Sequence, residues 1–335
     1  MSSLPDPSIH LSEDDAERVF GRILDEEDLP EESVSAFLVG LTERSETADE
    51  IAGAARALRA RMISIPSPPN TIDVCGTGGD GHHTLNVSTA VSLVVAAAGV
   101  PVAKHGNRAA SSRSGAADTL EVLGLDMTAA GQSAERTLNE IGICFLFAPN
   151  HHPAMRRIQP IRQRIGRRTI FNLMGPLSNP ARVRNQLIGI ARPAYVPIYA
   201  EAQARLGTRH TMIVSGDEGL DELSLAGGNE VAVVRGHAFE MRRLQASVLG
   251  IACAPIEGIR GGNSAFNAAA LNALLEGVPG PFRDTVVFNA AAALHVAGKG
   301  DDWLDLRALA EESLDSGKAH KLLLNWIAQS ENTKR

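Results

Sequence analysis

The sequence predicts an α/β protein built from a small helical domain and a large α/β domain with a mostly parallel central sheet. Three observations predict it. The N-terminal segment shows helical periodicity alone. From residue 72 onward, short apolar runs alternate with helical stretches, as in a largely parallel sheet. Between the two regimes lies Ser-Ile-Pro-Ser-Pro-Pro-Asn, residues 64–70, whose prolines cannot continue a helix. A chain of 335 residues accommodates two domains at roughly 100–200 residues each.

Residues 12–26 read as the first helix. Ser12 suits the cap with Asp15 three positions on, and Ala16, Val19, Phe20, Ile23 and Leu24 share one face. A second helix opens near Pro30, a residue suited to a first turn, and turns Val34, Phe37, Leu38 and Leu41 inward. Thr47 with Glu50 forms the capping signal of a third, whose inner face is Ile51, Ala54, Ala55, Leu58 and Met62. Past the prolines, 72–75 reads as a strand, 76–81 as a glycine-rich loop and 89–98 as a helix capped by Ser88. Strands follow at 100–103, 144–147, 212–214 and 231–234, with a helical stretch at 120–123. The C-terminal third is helical at 264–275, 285–297 and 304–316.

Composition narrows the function classes. Apolar residues make up 44% and charged residues 21%, which excludes a wholly disordered chain. The longest apolar stretch, 91–103, is shorter than the ~20 residues of a membrane span. The acidic N-terminus lacks the apolar core of a secretory signal. Cys75, Cys144 and Cys253 lie far apart with no CxxC pair, which argues against a zinc ribbon or disulfide scaffold and for a reducing, cytoplasmic setting. Thirty-one glycines with 4% aromatics suit loops around an anion better than a stacking platform for nucleic acid. Residues 1–50 carry fifteen acids against three arginines, a net of −12, whereas the whole chain is −7, so residues 51–335 net +5.

Residues 76–81 formally match GxGxxG, but a dinucleotide site fails two checks. No helix opens within the glycines, and the next strand runs into Ala103-Lys-His-Gly-Asn-Arg108 with no acid. The loop instead offers successive small residues whose N–H groups can form an anion nest. The N-terminus of the following helix adds a second anion site. Asn86, Ser88 and Thr89 supply neutral donors, while Lys104 and Arg108 supply charge at the end of the next strand. These groups collect at one edge of the sheet, where open α/β sheets bind ligands. The adjacent acids Asp221 and Glu222, after the apolar run 212–214, have the oxygen chemistry for Mg²⁺ beside a phosphate. Six arginines crowd residues 156–168 without interleaved aromatics, which argues against a nucleic-acid patch. The pairs His82-His83 and His151-His152 lack the i, i+4 spacing around a glutamate of a helical zinc site. No GxSxG or Cys/His nucleophile context occurs.

Taken in order, GTGGDG (76–81), NVST (86–89), KHGNR (104–108), HPAM (152–155), FNLMGPL (171–177), NPAR (179–182), GLDELS (219–224), Arg283-Asp284 and NAAA (289–292) closely resemble the anthranilate phosphoribosyltransferase family of tryptophan biosynthesis. The resemblance runs from about residue 12 to 325. It implies a fold similar to the pyrimidine nucleoside phosphorylases. Residues 1–68 would form the helical domain, joined by a mid-chain excursion near 153–186, and residues 71–152 and 187–330 the α/β donor domain. It also implies an active site in the cleft at the hinge, a homodimer through the helical domain and a cytoplasmic location. The implied activity is that of a pentosyltransferase. It moves 5-phosphoribose from 5-phospho-α-D-ribose 1-diphosphate to the amine of anthranilate, giving N-(5-phosphoribosyl)anthranilate and diphosphate. The partners are these small molecules, with no nucleic acid and no membrane.

Carried over by motif, the resemblance implies that Gly76, Gly78, Gly79 and Asp80 cradle the diphosphate end of the donor. Thr84, Asn86, Ser88, Thr89 and Lys104 would bind diphosphate and the phosphoribosyl part. Ser88 and Glu222 would touch one Mg²⁺, and Asp221 with Glu222 a second. Asn107 and Arg162 would hold anthranilate, with Gly76, His105, His152 and Pro176 nearby. One position departs from the family's Ser-Gly-Ser-Ala-Asp: here the stretch is Ser114-Gly-Ala-Ala-Asp118, so Ala116 lacks a hydroxyl that would face phosphate. Residues 242–251 also depart from the usual Pro-Glu-Asp-Phe-Gly stretch. An aromatic amine is neutral at pH 7, so no general base is implied, and catalysis rests on positioning and electrostatics. A nucleoside phosphorylase would share the fold without needing the Asp221-Glu222 pair. A silent nucleic-acid-binding relative would lack an intact GTGGD and be basic overall.

Overall fold

The structure, a computed structural model, describes residues 3–109 and 113–331; Met1 and Ser2, at the start of the segment expected to be helical, lie outside them. Three helices open the chain: Glu13–Asp25, Glu31–Arg44 and Ala48–Arg59. Each starts where its local chemistry satisfies free N–H groups. Ser12 accepts from the Asp15 N–H, Pro30 precedes the second helix, and Thr47 and Glu50 close both halves of a capping box. Their apolar faces meet in one core, where the Phe20 and Phe37 rings lie 6.1 Å apart.

Among the described residues seven strands form one sheet: β1 (Ile72–Gly76), β2 (Val102–Gly106), β3 (Ile143–Phe147), β4 (Asn185–Gly189), β5 (His210–Gly216), β6 (Asn229–Arg235) and β7 (Ala238–Leu244). Their spatial order is β3-β2-β1-β4-β5-β6-β7. The strands from β3 to β5 are parallel, and β6 and β7 are added antiparallel at the far edge. Side chains alternate between two cores. Leu187, Met212, Val214, Val231 and Val233 pack with helices Val87–Ala97, Pro281–Val296 and Trp303–Asp315. Ile188, Ile213, Ala232 and Val234 pack with the N-terminal helices and with apolar residues between 158 and 177. Burial on both faces explains why the central strands read as apolar runs rather than alternating ones. Each fully buried aliphatic side chain contributes ~1.5–3 kcal/mol.

Three expectations shift in detail. Ser88 does not cap its helix: the helix begins at Val87 with Asn86 in the cap position, so Ser88 sits in the first turn. Asn86 makes no capping bond because its Oδ1 accepts from Thr119 at 2.5 Å and Asn267 at 2.9 Å. The strand expected at 100–103 runs instead from Val102 to Gly106. Pro101 has no N–H for the ladder, and pairing with β3 draws Lys104 and His105 into the strand. Strand β7 left no apolar signature because its side chains are exposed almost throughout. The sequence reading also passed over β4 and the helices Met127–Gln132, Ala134–Ile141, Val196–Arg205 and Lys318–Glu331. Among the described residues no helix is long and apolar enough to cross a membrane.

Candidate active site

The chain runs outward from β1 through β2 to β3, then returns to place β4 on the other side of β1. Ligands of open α/β sheets bind outside the carboxyl ends of the strands at such a switch point. A cleft of about 850 Å³ lies there. One wall is the loop after β1, the end of β2 and Asp221-Glu222; the other is helix Met155–Ile165 and the residues that follow it.

The loop after β1 must be glycine-rich. A Cβ on Gly76 or Gly189 would collide with Asp221. Gly78 and Gly79 have φ of 68° and 72°, where glycine alone is unstrained. The Gly78 N–H donates to the Asp221 carboxylate at 2.7 Å. From the opposite wall, Arg168 Nη1 donates to the carbonyls of Gly78 at 2.7 Å and Gly79 at 3.0 Å.

Lys104 is only 2% exposed, and its Nζ donates to the Val74 carbonyl at 3.0 Å and to Ser88 Oγ at 3.1 Å. Burial lowers its pKa, opposed by the charges of Asp73 and Glu222. Asp73 is an acid in the middle of a buried strand, its own pKa raised by burial and pulled back by Lys104. It accepts the His105 N–H at 3.2 Å and the Cys75 thiol at 3.3 Å. The conflict between its position and its chemistry resolves as a counter-charge for Lys104 and an anchor for the β2 end.

Asp221 and Glu222 follow the β5 end. Burial, then the charge of Asp80, raises the Asp221 pKa to about 7. Burial, then Asp221 itself, holds the Glu222 carboxyl well above its usual range. Asn289 fixes their backbone: its Oδ1 accepts from the Leu223 N–H and its Nδ2 donates to the Leu223 carbonyl, both at 2.9 Å. Crowded carboxylates whose charges oppose one another fit a divalent cation, which takes oxygen ligands. Among the described residues no three His, Cys, Asp or Glu side chains converge as a metal cage.

The structure sorts the six arginines of the opposite wall. Arg157 donates to the carbonyls of Ile23 and Leu29, Arg164 pairs with Glu31 at 2.5 Å and Arg167 with Glu43 at 2.7 Å. Part of the N-terminal acidity thus faces this basic segment. Arg168 holds the glycine loop, and Arg156 is exposed away from the cleft. Arg162 lines the cleft half-buried, its pKa lowered by burial, with no hydrogen bond or ion pair from its guanidinium among the described residues.

At the back of the cleft His105 Nδ1 donates to the Gly175 carbonyl at 3.0 Å, and its Nε2 lies 3.3 Å from His152 Nε2. Burial, then His152, lowers the His105 pKa to about 3. Burial, then His151, lowers that of His152 to about 4. Both rings are therefore neutral at pH 7.

Gly76, Gly78, Gly79, Asp80, Thr84, Asn86, Ser88, Lys104, His105, Asn107, Ala116, Arg162, Asp221 and Glu222 all line this one cleft. Three expected residues do not. Thr89 is buried on the inner side of its helix, its hydroxyl without a partner among the described residues. His152 stands behind His105, and the Pro176 carbonyl accepts from Gln186 at 2.7 Å in the interior. Sequence reasoning missed Gln159, Gln163, Arg168 and Asn172 in the lining. The positions 159, 162, 163 and 166 form a helical stripe that a periodicity count of polar residues could have found.

Residues 8–62 match the family model described as glycosyl transferase family, helical bundle domain, and residues 68–320 that described as glycosyl transferase family, a/b domain. A protein of Erythrobacter litoralis called anthranilate phosphoribosyltransferase is 72% identical over 327 residues, covering 98% of this chain and 99% of that one. The solved anthranilate phosphoribosyltransferase of Thermus thermophilus is similar with a TM-score of 0.91 and 40% identity, over 97% of each chain. That of Saccharomyces cerevisiae in complex with PRPP and Mg has a TM-score of 0.86 and 29% identity, over 96% of this chain and 94% of its own.

Proposed function

The chain belongs to the anthranilate phosphoribosyltransferase family, and from that premise we propose how the two walls of its cleft divide the reaction. Its activity is the transfer of 5-phosphoribose from 5-phospho-α-D-ribose 1-diphosphate to the amine of anthranilate, in tryptophan biosynthesis. The α/β wall holds the donor. Gly76, Gly78, Gly79 and Asp80 cradle the diphosphate, and Thr84, Asn86, Ser88 and Lys104 hold diphosphate and the phosphoribosyl part. Thr89 supports this wall from inside its helix. Ala116 presents no hydroxyl, so any contact there is made by backbone. Asp221 and Glu222, with Ser88, would hold Mg²⁺, two ions per site, which when bound neutralises the departing diphosphate as a Lewis acid. The crowded carboxylates and the Mg in the PRPP complex of the yeast relative support that assignment.

The opposite wall holds the acceptor. Arg162 pairs with the anthranilate carboxylate and Asn107 orients it, with Gly76 and His105 beside the ring and His152 and Pro176 behind. The neutral His105 and His152 add no positive charge beside the ribose as its ring becomes cationic. The amine enters with its lone pair free, so no residue is asked to remove a proton before attack. Positioning and fixed charge carry the rate.

Residues 153–186 belong with the helical domain 1–68, the rest forming the α/β domain. Phe20, Phe37, Ile158, Ile161 and Phe171 share a core, with the Phe20 and Phe171 rings 5.8 Å apart, which supports grouping 153–186 with the helices; the same core also receives Ile188, Ile213, Ala232 and Val234 from the sheet. The enzyme acts as a cytoplasmic homodimer joined through the helical domain.

The observation that carries the division is Arg162, a half-buried cation facing the donor wall and without a partner among the described residues. The test is loss of anthranilate fluorescence. It should require the phosphoribosyl donor and Mg²⁺ together. Turnover undiminished in a chelator removes the cation from the reading, and no turnover with both present removes the reading itself.

A further inference from the structure

We propose that Arg168 is a positioning residue for the donor. By holding the carbonyls of Gly78 and Gly79, it turns the N–H groups of Gly79 and Asp80 the other way, as free anion donors. This rests on the reading that the loop at 76–81 takes the donor's diphosphate.

In a trans peptide the C=O and the following N–H point in opposite directions. The Gly78 carbonyl shares its plane with the Gly79 N–H, and the Gly79 carbonyl with that of Asp80. Both carbonyls are held by the same Arg168 nitrogen, at 2.7 and 3.0 Å. Both N–H groups are therefore directed away from Arg168, and neither has a hydrogen-bond partner among the described residues. The two preceding N–H groups are already used, Thr77 by the Gly189 carbonyl at 2.9 Å and Gly78 by Asp221 at 2.7 Å. Gly78 and Gly79 both have positive φ, and glycine peptides reorient at low cost. The loop's own backbone therefore does not enforce this orientation, and Arg168 supplies the constraint from the opposite wall. Residue 168 follows the helix that carries Arg162, so one segment reaches both the acceptor pocket and the donor loop.

Steady-state kinetics with each substrate varied, together with titration of diphosphate in the presence of Mg²⁺, tests this. Arg168→Gln should raise the donor KM and the diphosphate Kd about tenfold, the scale of one or two hydrogen bonds. The anthranilate KM should stay within about twofold, and the melting temperature should be unchanged. Arg168→Lys keeps a charged nitrogen donor and should recover part of the loss; it carries the same test if the glutamine variant does not fold. An equal rise in both KM values, or an unchanged donor KM, overturns the proposal. Gly79→Ala separates it from the reading beneath it. An unchanged donor KM in that variant sinks the loop's role. A raised donor KM there, beside a normal one in Arg168→Gln, sinks Arg168 alone.

Discussion

The two walls of the cleft are built on opposite electrostatic plans. On the α/β wall, Lys104, Asp73 and Glu222 lie buried within each other's fields, and Ser88 and Val74 take two of the three Lys104 donors. On the helical wall, Arg162 has no partner among the described residues, while Arg157, Arg164 and Arg167 are spent on the first two helices and the turn between them. Buried groups held in one another's fields present a fixed geometry, which suits a donor whose many phosphate oxygens must be received in one arrangement. A single unpaired guanidinium suits a ligand with one carboxylate. The contrast also explains why six arginines in one run do not make a polyanion surface: most are structural.

The largest effect is expected where the donor wall is already strained by like charges. Asp221→Asn with Glu222→Gln should lower Mg²⁺-dependent turnover a hundredfold or more, since Lewis-acid stabilisation is worth several kcal/mol and about 1.4 kcal/mol is tenfold. Mg²⁺ titration of the rate checks it; a curve unchanged from the parent denies these acids a metal role.

Next is the acceptor wall. A charge-assisted hydrogen bond is worth ~1.5–3 kcal/mol, so Arg162→Ala should raise the anthranilate KM roughly ten- to a hundredfold. The donor KM should change much less, and Arg156→Ala should do little to either. Equal losses for both substrates would instead make Arg162 a brace between the walls.

His105 and His152 sit where the walls join, and their effect is on stability. Their folded pKa values, about 3 and about 4, lie below the 6.5 of an unfolded histidine. Between those limits the unfolded chain binds more protons, so stability is unaffected above pH 6.5 and is lost as pH falls below it. The slope is roughly 1.4 kcal/mol per pH unit for each ring. Thermal melts at pH 7.5 and 5.0 should show a smaller acid loss in His152→Gln than in the parent. An identical loss in both would show that His152 titrates normally.

The smallest effect concerns Ala116, where the donor wall lacks a hydroxyl the family commonly has. A neutral hydrogen bond is worth ~0.5–1.5 kcal/mol, so Ala116→Ser should lower the donor KM about two- to tenfold. A donor KM that stays level or rises means the space is already filled.

The elements that were legible are those whose signal is local. The capping box at Thr47 and Glu50, the three amphipathic helices and the central apolar strands all follow from short-range chemistry. Strand β7 was not legible because its side chains are almost all exposed, and β4 because its five residues, Asn-Gln-Leu-Ile-Gly, carry only two strong apolar side chains. Most cleft residues were legible through motifs that cluster at strand ends. The second layer was not. Asp73, Asn289 and Arg168 act on groups 32, 66 and 90 positions away in sequence, and no spacing rule joins them.

The sequence by itself determined the kinds of chemistry present: small residues where backbone must meet an anion, oxygen ligands after a strand, cations at another strand's end. These depend on side-chain type and a few neighbouring positions. Tertiary structure decided which copy of a residue type acts. Only folding places Glu31 and Glu43 against Arg164 and Arg167, leaves Arg162 unpaired among the described residues, and sinks Asp73 beneath Lys104. Pairing and burial set the energy of a charge, and both are properties of contacts between segments that the chain keeps far apart until it folds.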